Sequence, residues 1–249
     1  MGALLHRSGA GWAFGLCVAA GEGGGTFRYQ REWRGGGGVR GEAVDAERSV
    51  VEAGRRARTK VRRYCAANGL NRLGTLTYAG AGVHDPFVVR RDLGVFFRNL
   101  RSALGGDPLP YVWVPELHPG GHGFHAHFAV GQYVRRSLIS AAWGLGFVHI
   151  KLLGDLGVGS TAKEEARRAA GYLSKYVAKT FEQPTRTFGG HRYDVAEGFQ
   201  PAVEAVRGPT VEAVRAVASE RMGAVPVREW SSSADPAWAG PPAVWFQWA

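Results

Sequence analysis

The chain has 249 residues, enough to bury a hydrophobic core, and the expected organisation is one domain with an extension. Its formal net charge is +10, and basic residues exceed acidic ones only in the part before residue 181. This excess favours a polyanionic partner, although an arginine-rich composition without a binding role would look the same. Cys17 and Cys65 are far apart and form no CxxC pair, so neither a disulfide scaffold nor a zinc–thiolate site is implied.

The sequence also bears on the cellular location of the protein and on whether it carries an ATPase module. No apolar run is long enough to cross a membrane, and the cysteine usage favours a reducing, cytoplasmic setting. No Gly-x-x-x-x-Gly-Lys-Ser/Thr motif occurs, so the sequence carries no P-loop ATPase module.

In chain order, the first elements are two short strands at residues 11–19 and 26–33, separated by a turn at Gly21–Gly25. A helix follows over 42–68 and ends at Gly69. The second half of this helix carries six basic side chains, which either contact phosphates or form a solvated face. These residues are Arg55, Arg56, Arg58, Lys60, Arg62 and Arg63.

The middle of the chain mixes strands and helices. Strands are predicted at 73–79, 111–117, 124–131 and 147–153, and helices at 85–104, 135–143 and 161–181. Asp85 before Pro86 is a typical helix start, and Thr161 with Glu164 forms a capping box. This order predicts an α+β fold, in which an antiparallel sheet with a central hairpin packs against helices.

The composition changes after Phe181, so we divide the chain into three segments: 1–40, with two strands and a glycine-rich linker; 41–181, the core; and 182–249, a C-terminal extension. We predict that the extension is helical with a tryptophan-rich tail. Its pentapeptide Val-Glu-Ala-Val-Arg occurs at 203–207 and again at 211–215, and both copies are predicted on helix. The tail, with Trp238, Trp245 and Trp248, either packs on the domain or binds a partner.

A candidate metal site lies on the predicted central hairpin. His125 and His127 are two residues apart, so their side chains leave a strand on the same face. Pairing residue 117 with residue 124 sets Glu116 opposite His125, which brings the three side chains to one patch. Two imidazoles and a carboxylate suit Mn²⁺, or Mg²⁺ with oxygens from the substrate. The alternative is one polar face of an exposed hairpin; His118, at the loop edge, is a further ligand, a DNA contact or a solvated residue.

A candidate nucleophile site lies on the last predicted helix of the core. Tyr172 and Tyr176 are four residues apart and share a helix face, and Lys175 and Lys179 each follow a tyrosine by three residues. A phenol, with a pKa of about 10, is a weak nucleophile at neutral pH, and nearby ammonium groups favour the phenolate and neutralise a phosphate under attack. Core packing with snorkelling lysines is the alternative.

Together these motifs resemble the HUH endonuclease superfamily, and in particular its rolling-circle replication initiators. Thr75-Leu-Thr-Tyr78 resembles the first family motif, Glu116 with His125-Ala-His127 resembles the metal motif, and the segment 172–179 resembles the tyrosine motif. The paired tyrosines are similar to those of microvirus A proteins and related phage and plasmid initiators. Alanine between the histidines departs from the family pattern, as does a Tyr-x-x-Lys pattern that fits twice.

The resemblance implies a five-stranded antiparallel sheet with flanking helices, and a divalent metal, Mg²⁺ or Mn²⁺, bound by Glu116, His125 and His127. Tyr172 and Tyr176 would be the nucleophiles, and Lys175 and Lys179 would position phosphate. The implied function is nicking and rejoining of single-stranded DNA at a replication origin through a 5′-phosphotyrosine intermediate. A separate host helicase would be needed, and no membrane is involved.

Three other functions are compatible with the sequence. An HUH-type transposase would use the same chemistry. A non-catalytic basic protein would bind DNA with steep salt dependence but form no covalent bond. A metal phosphoesterase would still hydrolyse its substrate with both tyrosines replaced by phenylalanine.

Candidate DNA contacts lie on two of the predicted strands. His149 and Lys151 project from one face of their strand and either contact the single strand or lie on a solvated edge. Thr75 and Thr77 are further candidates for DNA contacts. Trp113 and Tyr78 either stack on bases or belong to the core.

Overall fold

The computed structural model describes residues 9–29, 46–151, 159–182 and 192–249. In chain order its elements are β1 (Gly11–Cys17), β2 (Glu22–Arg28), α1 (Ala46–Ala67), β3 (Arg72–Tyr78), α2 (Pro86–Ala103), β4 (Tyr111–Leu117), β5 (Phe124–Val130), α3 (Arg136–Trp143), β6 (Gly146–Lys151), α4 (Ala162–Glu182), β7 (Asp194–Val195), β8 (Glu204–Gly208), α5 (Val211–Met222), β9 (Arg228–Ser231) and β10 (Ala243–Gln247), with a 3₁₀ turn at Ser232–Ala234.

These elements form two compact units. The terminal unit takes its described residues from the segments 1–43 and 201–249, and the central unit takes its residues from 44–200. Each unit contains one five-stranded antiparallel sheet and its own helices, so the predicted α+β class is confirmed. Among the described residues, no helix is both long enough and apolar enough to span a membrane.

The sheet of the central unit has the strand order β6-β3-β5-β4-β7. The predicted hairpin register is confirmed, since Leu117 pairs with Phe124, Glu116 with His125, and Val114 with His127. The helix starts are confirmed as well: the Asp85 side chain accepts a hydrogen bond of 2.8 Å from the Phe87 amide. At the start of α4, the Glu164 amide donates to Thr161 Oγ1 and the Thr161 amide donates to the Glu164 carboxylate.

Two hydrophobic layers cover the two faces of the central sheet. On one face, α2 and α3 pack over a layer that includes Leu76, Phe128 and Val148. Trp113 and Tyr78 are buried in this layer, so they belong to the core and do not stack on bases. On the other face, α1 and α4 pack over the residues Leu73, Val112, Val114 and Ala129. Alternation along each strand therefore decides which side chains can reach α4.

The sheet of the terminal unit has the order β8-β1-β2-β10-β9, so strands from before and after the central unit pair side by side. One face carries α5, whose Val214 and Ala218 pack against an apolar cluster that contains Phe14, Phe246 and Trp248. Trp248 also donates a hydrogen bond from Nε1 to the Ala224 carbonyl at 3.0 Å. The tryptophan-rich tail therefore contains a strand of this sheet followed by the buried Trp248, so this part of the tail packs on the protein.

Two sequence-based predictions in the terminal unit are wrong. The predicted turn at Gly21–Gly25 is mostly strand, because β2 begins at Glu22. Glycine is needed there for close packing: a Cβ on Gly23 would lie 2.3 Å from the Phe14 ring, and one on Gly25 would lie 2.4 Å from the Ala13 carbonyl oxygen.

The repeated pentapeptide adopts two structures. The copy at 203–207 lies largely in β8, which pairs with β1, whereas the copy at 211–215 opens α5 after the N-cap Thr210. The Thr210 side chain accepts a hydrogen bond of 3.2 Å from the Ala213 amide. A neighbouring strand and a cap therefore override the identical local propensity.

The ends of other predicted elements fall outside the described residues. These are residues 42–45 of the first helix, 30–33 of the second strand and 152–153 of the strand that contains His149. The short strand β7, which pairs with β4 at the sheet edge, was not predicted from the sequence.

Candidate active site

Three neighbouring strands of the central sheet place polar side chains on one face, which we call the site face. β5 contributes His125 and His127, and Glu116 of β4 is paired with His125. On the other side of β5, Thr77 of β3 pairs with His125, and Thr75 pairs with His127. Directly paired residues share a face, so these five side chains lie together. It is the same face that α4 covers.

Glu116 is held by two hydrogen bonds from opposite sides. Lys179 Nζ of α4 donates to its Oε1 at 2.7 Å, and His127 Nε2 lies 2.8 Å from its Oε2. Partial burial of Glu116 alone raises its pKa, but the hydrogen bonds from Lys179 and His127 outweigh burial, and the pKa is lower than usual. Glu116 is therefore an ionised carboxylate that connects the sheet to α4.

His127 is the most enclosed polar side chain of this group, with 6% of its surface exposed. Its Nδ1 lies 3.0 Å from Thr75 Oγ1, and its ring stacks on the Tyr176 ring with 3.6 Å between centroids. Burial lowers the pKa of His127, although Glu116 opposes this shift, so a neutral imidazole is favoured. Both ring nitrogens thus have polar partners, and the Tyr176 ring covers one face of the imidazole.

His125 differs in one respect that matters for ligand binding. Its Nδ1 lies 2.9 Å from Thr77 Oγ1, but its buried Nε2 has no hydrogen-bond partner among the described residues. Its ring stacks against His118 at 4.8 Å between centroids. Burial, and then the neighbouring His118, lower the pKa of His125. A neutral imidazole is favoured, and its nitrogen lone pair can serve as a metal ligand.

The two tyrosines of α4 lie directly above this group. Tyr176 donates a hydrogen bond of 2.6 Å to the Tyr172 hydroxyl. Burial, and then the hydrogen bond with Tyr172, raise the pKa of Tyr176. Lys151 Nζ lies 4.8 Å from the centre of the Tyr172 ring, and Lys179 Nζ lies 5.4 Å from that of Tyr176. The tyrosine pair and the Lys179 ammonium group therefore sit beside the Glu116–His127 pair, and Lys151 lies next to Tyr172.

The nitrogen and oxygen atoms of this group are of the types that bind a divalent ion, but they are not arranged around one common point. A carboxylate and two neutral imidazoles, one of which has a buried and unpartnered Nε2, suit Mn²⁺ or Mg²⁺. Within the ranges that the structure describes, however, no three His, Cys, Asp or Glu side chains are grouped closely enough to hold a metal ion as they lie. Glu116 is engaged by Lys179 and His127 instead. Metal binding by Glu116, His125 and His127 stays a prediction.

The remaining predicted site residues lie at different distances from this group. Lys175 is exposed on α4, and His149 is exposed on β6 with its side chain on the site face, since it pairs with Thr75. Of the basic residues on α1, Arg56 and Lys60 are exposed, and Arg56 forms an ion pair of 3.6 Å with Glu52. Contact between α1 and DNA stays a prediction.

The sequence did not reveal what Thr75 and Thr77 do. They were predicted to contact DNA, and the structure places their hydroxyl groups on the Nδ1 atoms of the two histidines. The signal was present as a Thr-x-Thr alternation that matches His-x-His, but it becomes readable only once β3 is known to pair with β5.

The fold and the site therefore define an α+β protein with a polar active-site-like group beneath a tyrosine helix. Residues 71–181 match the family model described as replication-associated protein ORF2/G2P. This segment runs from the start of β3 almost to the end of α4, so it contains the whole group described above, and the match supports a replication initiator. Neither the curated proteins nor the solved structures gave a match to the chain.

Proposed function

We propose that the protein is a replication initiator that nicks single-stranded DNA at an origin and rejoins it through a tyrosine ester. One observation carries the proposal: the hydroxyl groups of Tyr172 and Tyr176 lie 2.6 Å apart beside the Glu116–His127 pair. Lys151 and Lys179 lie next to the two tyrosine rings, and all of these residues fall inside the segment that matches the replication-associated family. Neither a core packing role nor a general basic surface requires this combination.

The proposed reaction is a transesterification at phosphorus. The oxygen of Tyr172 or Tyr176 attacks the scissile phosphate, the bond to the 3′ oxygen breaks, and a 5′-phosphotyrosine ester forms. The phenol proton is lost and the departing 3′ oxygen gains one, so the step is balanced in atoms and charge. A free 3′ hydroxyl reverses the reaction, and the strand is resealed without ATP because the ester conserves the phosphodiester energy.

The residues of the group take distinct parts in this proposal. Lys179 and Lys175 neutralise the phosphate, and the second tyrosine can attack a second phosphodiester while the first still holds DNA. Glu116, His125 and His127 would bind Mg²⁺ or Mn²⁺, which when bound would polarise the scissile phosphate and stabilise the negative charge of the transition state. A separate helicase would have to open the duplex.

A covalent adduct is the direct test. The protein is incubated with Mn²⁺ and circular single-stranded DNA and run on a denaturing protein gel, with parallel lanes for EDTA, Tyr172→Phe, Tyr176→Phe and the double variant. We expect an EDTA-sensitive adduct that the double variant lacks, and the single variants show which tyrosine acts first. Tyr133→Phe is the matched control, since Tyr133 is an exposed tyrosine outside α4.

Two results would contradict the proposal. If the protein binds DNA in a salt-dependent manner but forms no adduct, a non-catalytic DNA-binding protein is favoured. If the double tyrosine variant still cleaves DNA, the activity is that of a metal phosphoesterase.

A further inference from the structure

We propose that Phe147, on β6 at the edge of the central sheet, is a stacking platform for one base of the single strand that the active site holds. This inference rests on the proposed function, because it names how the same site recognises its substrate. It concerns a residue that the sequence did not single out.

Phe147 lies in line with the catalytic group. The strand register pairs Phe147 with Thr77, and Thr77 with His125. His125 is in turn paired with Glu116, so the four residues form one row across four strands. Paired residues share a face, which puts the Phe147 side chain on the site face. Two strand spacings separate it from His125, a distance of about 10 Å.

The exposure of Phe147 is unusual for its position. Its surface is 70% exposed, whereas its neighbour Val148, which points to the other face, is 4% exposed and packs beneath α2 and α3. The residue is therefore not needed to fill the hydrophobic layer of the sheet. A large aromatic ring left open beside a polar catalytic group is the arrangement that stacking on a nucleic-acid base uses.

The charged side chains on the site face favour single-stranded DNA over an apolar protein partner for Phe147. His149 follows on the same face and is exposed, and Lys151, two residues further, lies over the Tyr172 ring. Lys179 adds a further positive charge beside Tyr176. An exposed flat ring on the same sheet face as these ammonium groups matches a strand whose bases stack and whose phosphates need neutralising.

Binding of a fluorescein-labelled single strand, measured by anisotropy, tests this inference. The probes are a mixed-sequence oligonucleotide and the same backbone with abasic sites. We expect Phe147→Ala to weaken binding of the normal strand by roughly tenfold, as loss of one stacked base would. Binding of the abasic strand should change little, and Phe147→Trp should restore affinity for the normal strand.

The controls separate stacking from misfolding and from charge. Phe87→Ala removes another exposed phenylalanine, 65% exposed on α2, which packs on the opposite face of the sheet, and it should leave binding unchanged. The slope of affinity against salt should stay the same in Phe147→Ala, because no phosphate contact is lost, and should decrease in Lys151→Ala.

The outcomes distinguish this inference from the proposed function. If Phe147→Ala binds both strands like the wild type while the wild type still forms the tyrosine adduct, the stacking role is wrong and the nickase remains. If Phe147→Ala weakens both probes equally, base stacking is also wrong. If the wild-type protein binds neither strand and forms no adduct, the proposed function fails together with this inference.

Discussion

At the scale of single residues, the threonine hydroxyls decide how the two histidines can be used. Glu116 is ionised and can only accept hydrogen bonds, so His127 Nε2 carries the proton in that contact and His127 Nδ1 accepts from Thr75. A metal ion at Nε2 would require the opposite tautomer, with the proton on Nδ1. A hydroxyl group both donates and accepts, so Thr75 can partner either tautomer without moving.

The first prediction concerns the equivalent contact of His125. Thr77→Val removes the partner of Nδ1 at 2.9 Å and leaves that nitrogen unsatisfied. We expect Mn²⁺ affinity to fall by about 10- to 100-fold, as loss of such orienting contacts does in metal sites. Isothermal titration calorimetry measures the change, and Thr77→Ser, which keeps the hydroxyl group, should bind like the wild type. Equal affinity in Thr77→Val would show that Thr77 does not orient a ligand.

A second prediction at this scale follows from Lys179. Its ammonium group bonds Glu116 Oε1 at 2.7 Å and so occupies the carboxylate that the metal would need. Lys179→Met should therefore bind Mn²⁺ more tightly, several-fold at low salt, because a competing positive charge is removed. It should nevertheless form the DNA adduct more slowly, because in the proposed reaction Lys179 also neutralises the phosphate. Calorimetry and the adduct gel report the two effects separately, and weaker metal binding would contradict the competition.

At the scale of elements, close packing explains why β2 contains a run of glycines. Gly23 and Gly24 are adjacent in β2, but an added Cβ would meet the Phe14 ring at 2.3 Å in the first case and the Val244 carbonyl oxygen at 3.3 Å in the second. The glycine run that looks like a turn in the sequence is therefore a strand pressed against an aromatic ring.

The corresponding prediction compares the two glycines. Gly23→Ala should lower the free energy of unfolding of the terminal unit by about 1–3 kcal/mol, because the Phe14 ring must move in a packed cluster. Gly24→Ala should have a smaller effect, since only slight adjustment is needed. Urea denaturation followed by tryptophan fluorescence measures both. Equal stability of the two variants would mean that the Phe14 ring relaxes freely.

The sequence could predict those features whose interacting residues lie close together along the chain. Local signals were sufficient for the helix starts at Asp85 and Thr161 and for the register of the β4–β5 hairpin, because their partners lie close in sequence. They were insufficient where partners are distant: the pairing of Thr75 and Thr77 with the histidines depends on sheet order. The identical pentapeptides diverge for the same reason, because only the first has a neighbouring strand.

At the scale of the whole molecule, the terminal sheet depends on both ends of the described chain. β2 lies between β1 and β10, so the N-terminal hairpin pairs with a strand whose residues are about two hundred positions away. The central unit, in contrast, contains every strand of its own sheet within residues 44–200. The two units should therefore differ in how they respond to shortening of the chain.

Ending the chain after Gln200 tests this difference. The truncation removes β8, β9 and β10, so we expect the backbone amides of β1, including that of Phe14, to exchange with solvent rapidly. The amides of β5, including that of Phe128, should stay protected, because their sheet is intact. Hydrogen exchange followed by mass spectrometry reports both regions. Loss of protection in β5 would show that the central unit depends on the terminal sheet.

The arrangement of strands also determines the order in which the two sheets can form during synthesis. β1 and β2 leave the ribosome first, but β8, their next partner, begins at Glu204. At a synthesis rate of 5–20 residues per second, about 10–35 s pass between the synthesis of β2 and that of β8. This interval is long compared with the folding time of most small domains. In that interval all strands of the central unit become available. The nascent chain should therefore complete the central sheet while the glycine-rich β1–β2 hairpin, made before it, still lacks β8 and β10.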